Sequence, residues 1–157
     1  FMRFNSLFQI LAMMRDRSPL IDMAETMLFI PDLFHYWLTG VKANEYTNTS
    51  TSQMIDAHSR TWARDLVQAF TIPDKMLGTL IQPGTVLGNL RPSVTTNAGV
   101  SPIPVIAPAT HDTAAAVAAV PASGESWAYI SSGTWSLMGV ETKTPKTDES
   151  TLRVNFT

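Results

Sequence analysis

An α/β fold with a helix-rich first half is what this sequence predicts, and three observations predict it. Apolar residues recur at helical spacing through much of the first half of the chain. A β-branched run, "IPVIA" at 103–107, then feeds an alanine-rich run through a short break. Two aromatic-bearing segments finally flank the turn "SSGT" at 131–134, the pattern of a β-hairpin with a hydroxyl-bearing tip.

The elements follow in order. Phe4, Leu7, Phe8, Leu11 and Met14 fall on one stripe with Asn5, Gln9 and Arg15 off it, which predicts an amphipathic helix over Asn5–Met14. The same periodicity argues against a leader peptide, although Arg3 precedes "LFQILAMM" and "RDR" follows it. Phe1 and Met2 read as the approach to that helix. Ile21–Leu28 carries a second apolar stripe. "IPDLFHYWLTG" has Pro31 at a helix start, Phe34, Trp37 and Leu38 on one face, and Gly40 as the stop. Thr61 is expected to cap a helix in which Trp62, Leu66, Ala69 and Phe70 share a side. Pro73 is expected to open a short helical stretch with Met76, Leu77 and Leu80.

Residues 82–102, "QPGTVLGNLRPSVTTNAGVSP", are rich in Gly, Pro, Thr and Asn and predict surface loops with one short strand. From Ile103 a buried strand leads through "PAT" into a helix over Asp112–Val120. Trp127, Tyr129 and Ile130 form the next strand, Ser131–Thr134 turn the chain with Gly133 free to take positive φ, and Trp135–Glu141 return. The closing "TLRVNFT" reads as a strand, and both ends of the chain give the expectation of a segment from a longer protein. No internal repeat or low-complexity tract occurs.

With 157 residues, 45% hydrophobic and 15% charged, the chain can fill one sizeable core or two incomplete ones. Eleven basic and thirteen acidic residues give a net charge of −2 without a basic block, so a nucleic-acid partner is not expected. The absence of cysteine excludes disulfides and thiolate metal sites and leans towards a reducing, cytoplasmic setting. The longest purely apolar run, 114–120, is far shorter than the ~20 residues of a membrane span, so no membrane partner is expected either.

Adjacent His111 and Asp112 at the head of the alanine-rich run are the first chemical candidates. A carboxylate in the first turn of a helix lies beside free backbone N–H groups at the positive end of the helix dipole, which favours its charged, proton-accepting form. Asp is also a favoured cap, worth ~1 kcal/mol, and spacing alone leaves both roles open. His111 suits a ligand-binding, metal-binding or packed imidazole, whereas His35 and His58 read as structural. "SSGT" is either an ordinary hairpin turn or a small anion nest, in which N–H groups and hydroxyls hold phosphate oxygens.

Taken together, "HDTAAAVAAVPASGESWAYISSGTWSLMGVE" resembles the FGGY carbohydrate kinases, and among them the branch that acts on L-rhamnulose. "FNSLFQI", "PDLFHYWLTG", "EYTNTSTSQM" and "PGTVLGNL" are similar to further landmarks in the same order, so the resemblance covers essentially all 157 residues and identifies them as a central part. It implies an actin-like ATPase architecture of two ribonuclease-H-like α/β domains with substrates in the cleft between them. Residues 1–122 would close the N-terminal, sugar-binding domain and 123–157 would begin the C-terminal, nucleotide-binding one, joined through "PASGES".

The resemblance also implies roles. Asp112 matches the catalytic base, and with it His111 and Thr113 match positions that contact the sugar. Thr134 matches a nucleotide contact, with Ser132 and Gly133 as companions, and no residue matches a metal ligand. The implied activity is phosphorylation of the 1-hydroxyl of L-rhamnulose in L-rhamnose breakdown, with ATP and Mg²⁺. The glycine-containing phosphate loop and the adenosine-binding segments of such kinases do not occur in the 157 residues, so the isolated chain is expected to be inactive. Alternatives are an FGGY kinase for another ketose or polyol, a metal-dependent phosphohydrolase built on His111 and Asp112, and a non-catalytic sugar-binding relative.

Overall fold

A computed structural model describes residues 3–154 and 156. The approach at Phe1 and Met2 lies outside the described residues, as do Asn155 and Thr157 at the other end.

Helix α1 runs Ser6–Arg15 behind an extended Asn5 and buries Leu7 and Ile10, as its stripe requires. Helix α2, Pro19–Met23, starts where the Ser18 hydroxyl accepts from Leu20 N at 3.4 Å and Pro19 occupies the first turn. It stops well short of Leu28. Ala24 is extended, and Met27 N donates to the Met76 carbonyl at 2.8 Å, so Ala24 and Met27 reach the core from irregular chain. Helix α3, Ile30–Thr39, opens with Pro31 and closes at Gly40, whose φ of 84° only glycine takes without strain. Its buried residue is Asp32, while Phe34 and Trp37 stay half exposed and pack edge to face with centroids 5.3 Å apart. The apolar face of α3 therefore stays partly exposed, and its buried side chain is a carboxylate.

Strand β1, Asn44–Glu45, leads into helix α4, Tyr46–Thr49, and a 3₁₀ turn at Ser50–Ser52. Strands β2, Ile55–Asp56, and β3, Thr61–Trp62, pair antiparallel. Thr61 thus pairs instead of capping a helix. The cause is Asp56, whose carboxylate accepts from His58 N at 2.8 Å and Ser59 N at 3.0 Å and folds the chain back on itself. Helix α5 then spans Arg64–Ala69, and Pro73 opens only a 3₁₀ turn at Asp74–Met76. Strand β4, Leu80–Ile81, pairs parallel with β1.

The main core cluster lies in this first half, where Leu7, Ile10, Ile21, Met54, Trp62, Val67, Ile72 and Met76 pack together; Val105 and Ala107 are buried apart from it. Trp62 also satisfies its indole N–H on the Gly78 carbonyl at 2.8 Å.

Strand β5, Val86–Asn89, pairs antiparallel with β6, Pro104–Ile106, across a register shift between Val86 and Gly88. Between them lies helix α6, Pro92–Ala98, in a stretch expected to hold loops and one short strand. Its Val, Thr and Asn residues are poor helix formers, but Pro92 in the first turn and Gly99 at φ 65° after the last residue punctuate it as a helix. Helix α7, Asp112–Ala118, is followed by the hairpin of β7, Ala128–Ser132, and β8, Ser136–Val140. Of the expected final strand, Thr151–Arg153 are helical instead: α8 spans Glu149–Arg153, capped by the Asp148 carboxylate, which accepts from Thr151 N at 3.0 Å. Among the described residues every sheet has two strands.

Candidate active site

The approach to α7 is held by a polar knot in the first half of the chain. Asp32, fully buried, accepts from Phe29 N at 3.3 Å, the Asn44 amide at 3.2 Å and Glu45 N at 3.0 Å. This fixes β1 against α3. Glu45, also fully buried, is the N-cap of α4: Oε1 accepts from Thr47 N at 2.8 Å and Oε2 from Asn48 N at 3.3 Å. Oε2 further accepts from the Thr110 amide at 3.0 Å and the Thr110 hydroxyl at 2.7 Å. The Thr47 hydroxyl donates to Glu45 and accepts from His111 N at 3.2 Å.

Burial pushes both carboxyls up, and their hydrogen bonds oppose it with different success. At Glu45 the bonds from Thr47 and Thr110 outweigh desolvation and leave the group below its ordinary value. At Asp32 desolvation wins over the bonds from Glu45, Asn44 and Phe29 and over the nearby His35, and the group stays raised.

From this anchor the chain delivers the candidate residues. His111 takes the N-cap position of α7 without capping through its side chain, and Asp112 is the first helical residue. Asp112 Oδ1 accepts from Thr113 N at 2.6 Å, and the His111 Nε2 lies 3.6 Å from the same oxygen. The Asp112 side chain is 95% exposed, so its carboxylate is available to a ligand and is not consumed in packing.

Asp112, Thr113 and Ala116 form one side of a cleft of about 250 Å³, and Ser131, Gly133 and Thr134 form the other. The hairpin loop is Gly133-Thr134-Trp135, closed by the Ser132–Ser136 pair, and Gly133 N donates to the Trp135 carbonyl at 2.8 Å. Gly133 does not adopt positive φ; what it contributes is open space where a side chain would stand. Ser132 does not line the cleft, because its hydroxyl pairs with that of Ser136 at 2.9 Å. The structure thus brings Asp112, Thr113, Gly133 and Thr134 together and turns Ser132 away.

His111 and Thr113 line a second, larger cavity of about 770 Å³ with Trp127, Tyr129, Val140 and Glu141. Trp127 and Tyr129, whose ring centroids are 6.1 Å apart, read in sequence only as strand residues. The alternation of β7 gave one signal of a ring facing a cavity, but nothing local gave Glu45 or Thr47, whose partners Thr110 and His111 lie 65 and 64 positions away. His35 is half-buried within α3, and His58 is exposed and bonded to the Thr147 hydroxyl at 2.8 Å. Among the described residues no three His, Cys, Asp or Glu groups converge on a metal position. No helix among them is long and apolar enough to cross a membrane.

The chain is 44% identical to a rhamnulokinase of Bacteroides thetaiotaomicron over 99% of its own length and 32% of the relative's. It is 43% identical to a rhamnulokinase of Oceanobacillus iheyensis over all of its length and 33% of the relative's. It therefore spans about a third of the length of these curated relatives. Among solved structures, a ligand-bound xylulose kinase from Lactobacillus acidophilus superposes with a TM-score of 0.77 at 17% identity, over 94% of this chain and 30% of that one. A gluconate kinase from the same organism gives 0.59 at 16% identity over 63% of this chain and 20% of that one. That likeness shows the fold, a part of the actin-like architecture of sugar kinases. The family described as "FGGY family of carbohydrate kinases, N-terminal domain" matches residues 1–119, three quarters of the chain, and the chain therefore belongs to the FGGY family of carbohydrate kinases.

Proposed function

We propose that these residues serve an ATP-dependent kinase that phosphorylates the 1-hydroxyl of L-rhamnulose, with Asp112 as general base. The observation that carries this is the cleft itself, in which an exposed carboxylate at the start of α7 faces the Gly133-Thr134 turn. The naming of the curated relatives as rhamnulokinases supports the choice of sugar.

A primary hydroxyl is a poor nucleophile, so proton removal must accompany attack. Asp112 takes the proton as the sugar oxygen forms its bond to the γ-phosphorus; the bond from that phosphorus to the bridging oxygen breaks, and ADP leaves with the electron pair. Such general-base help is worth ~10²- to 10⁴-fold. When bound, ATP supplies the transferable phosphoryl group. The Thr134 hydroxyl holds phosphate oxygens and stabilises charge on the transferring group, and Gly133 leaves open space for them beside it. His111 and Thr113 hold the sugar, with Trp127 and Tyr129 walling the larger cavity beside them. Mg²⁺ would be bound chiefly through phosphates, since the described residues offer no cluster of three ligands. Residues 1–122 belong to the sugar-binding domain and 123 onward to the nucleotide-binding one, and the enzyme works in the cytoplasm.

The test is a coupled ATPase assay on a full-length enzyme containing these residues, with the product identified by NMR. L-rhamnulose is expected to give a 1-phosphate at a kcat/KM at least about 10-fold above other ketoses, a discrimination that a few lost sugar contacts account for. A higher kcat/KM for another ketose or a polyol would overturn the substrate assignment.

A further inference from the structure

We infer that Glu45 and Thr47 form a positioning clamp that sets His111 and Asp112 in place for proton transfer. The inference rests on the kinase reading above. Neither residue touches the cleft around Asp112; they act through the backbone that precedes it.

Five donors converge on the Glu45 carboxylate: Thr47 N, the Thr47 hydroxyl, Asn48 N, Thr110 N and the Thr110 hydroxyl. One of the five falls on Oε1 and four on Oε2, so they share the carboxylate's roughly four lone-pair sites; it has no proton to compete with them, whereas an amide would add two donors of its own. With its proton given to Glu45, the Thr47 oxygen is left as an acceptor, and the N–H it accepts is that of His111. The orientation of one hydroxyl is thus dictated on one side and used on the other. Asp112 follows immediately, with its side chain 95% exposed, hydrogen-bonded to neighbouring Thr113 and 3.6 Å from the adjacent His111 imidazole, so its side-chain partners are both next to it in sequence. Little else on its own side chain fixes its position, so the backbone held by Glu45 and Thr47 must do so. Buried, fully bonded carboxylates in a water-poor setting are costly to place unless each bond is made, which makes the arrangement rigid once formed.

The test compares Thr47→Val, Thr47→Ser and Glu45→Gln in a full-length enzyme containing these residues. Thr47→Val should lower kcat about 10- to 100-fold, the scale of a small misplacement of a reacting group, with KM for ATP within about 2-fold of wild type. Thr47→Ser, which keeps the hydroxyl, should restore kcat to within about 3-fold. Wild-type kcat in Thr47→Val, or an equal loss in Thr47→Ser, overturns the clamp; these two variants decide even if Glu45→Gln fails to fold. If the wild-type enzyme does not phosphorylate rhamnulose, the kinase reading falls on its own, and amide hydrogen exchange at His111 judges the clamp: about 10-fold faster exchange in Thr47→Val supports it, and unchanged exchange overturns it.

Discussion

Glu45 Oε2 holds both the amide and the hydroxyl of Thr110, at 3.0 and 2.7 Å, across 65 positions of sequence. Closing so long a loop costs only slowly growing entropy, and charge-assisted bonds in a buried setting offset it. The consequence is that the well-packed first half, with its core around Met54, Trp62 and Val67, governs the position of the exposed residues that follow Thr110.

The pH dependence of this anchor has a definite sign. Glu45 lies below its ordinary value in the fold, so its contribution is complete above the unfolded pKa of about 4.3 and is lost as pH falls through the depressed folded value. Asp32 is raised, so its contribution is complete below about 3.9 and is lost as pH rises through the raised folded value. Thermal melts of the full-length enzyme should therefore show the Glu45→Gln deficit, about 1–3 kcal/mol at neutral pH, narrowing towards pH 3.5, and the Asp32→Asn deficit narrowing in the opposite direction. Parallel profiles for the two variants would contradict these assignments.

At the hairpin, Gly139 is paired with Tyr129, and a Cβ there would stand only 2.5 Å from Cζ and 2.9 Å from Cε1 of the tyrosine ring, too close to fit unless the ring moves. Gly139→Ala should displace that ring from the cavity wall it forms with His111 and Thr113, costing about 1–3 kcal/mol in stability and raising KM for the sugar. Tyr129→Thr removes the obstacle. A double-mutant cycle should accordingly show the alanine penalty largely abolished in the Tyr129→Thr background. An unchanged penalty would place the strain elsewhere.

For the turn, Thr134→Val keeps the size and β-compatible shape of the side chain while deleting one hydroxyl. KM for ATP should rise about 10-fold, the value of one hydrogen bond to a charged group, with KM for the sugar within about 2-fold. Steady-state kinetics with each substrate varied in turn would measure this. Equal losses for both substrates would point to a collapsed hairpin.

What was legible in the sequence had local causes. The stripe of Leu7, Leu11 and Met14, the Pro31 and Gly40 punctuation of α3, and the pairing of β7 with β8 all follow from neighbours in sequence. Asp112 and Thr134 were legible as candidates because helix start and turn chemistry mark them, and the fold brings them to one cleft. The misses had non-local causes. Thr61 was drawn into a strand by the Asp56 turn, and Met27 left the helical stripe for a hydrogen bond to the Met76 carbonyl. Glu45 was invisible as an anchor because a lone acidic residue in "NEYTNT" carries no sign of a partner 65 positions on.

The most direct measurement of the central claim is Asp112→Asn in a full-length enzyme containing these residues, with kcat, sugar affinity and melting temperature determined on the same preparation. Asparagine keeps the size of the side chain and can still accept from Thr113 N, but it cannot take a proton at neutral pH. Because the side chain is 95% exposed, the fold should hardly register the change, with Tm within about 2 °C and sugar Kd within about 3-fold of wild type. Turnover should fall at least ~10²-fold, the contribution of a general base. Turnover near the wild-type rate with unchanged sugar binding would contradict the account and leave Asp112 as no more than the first residue of a helix.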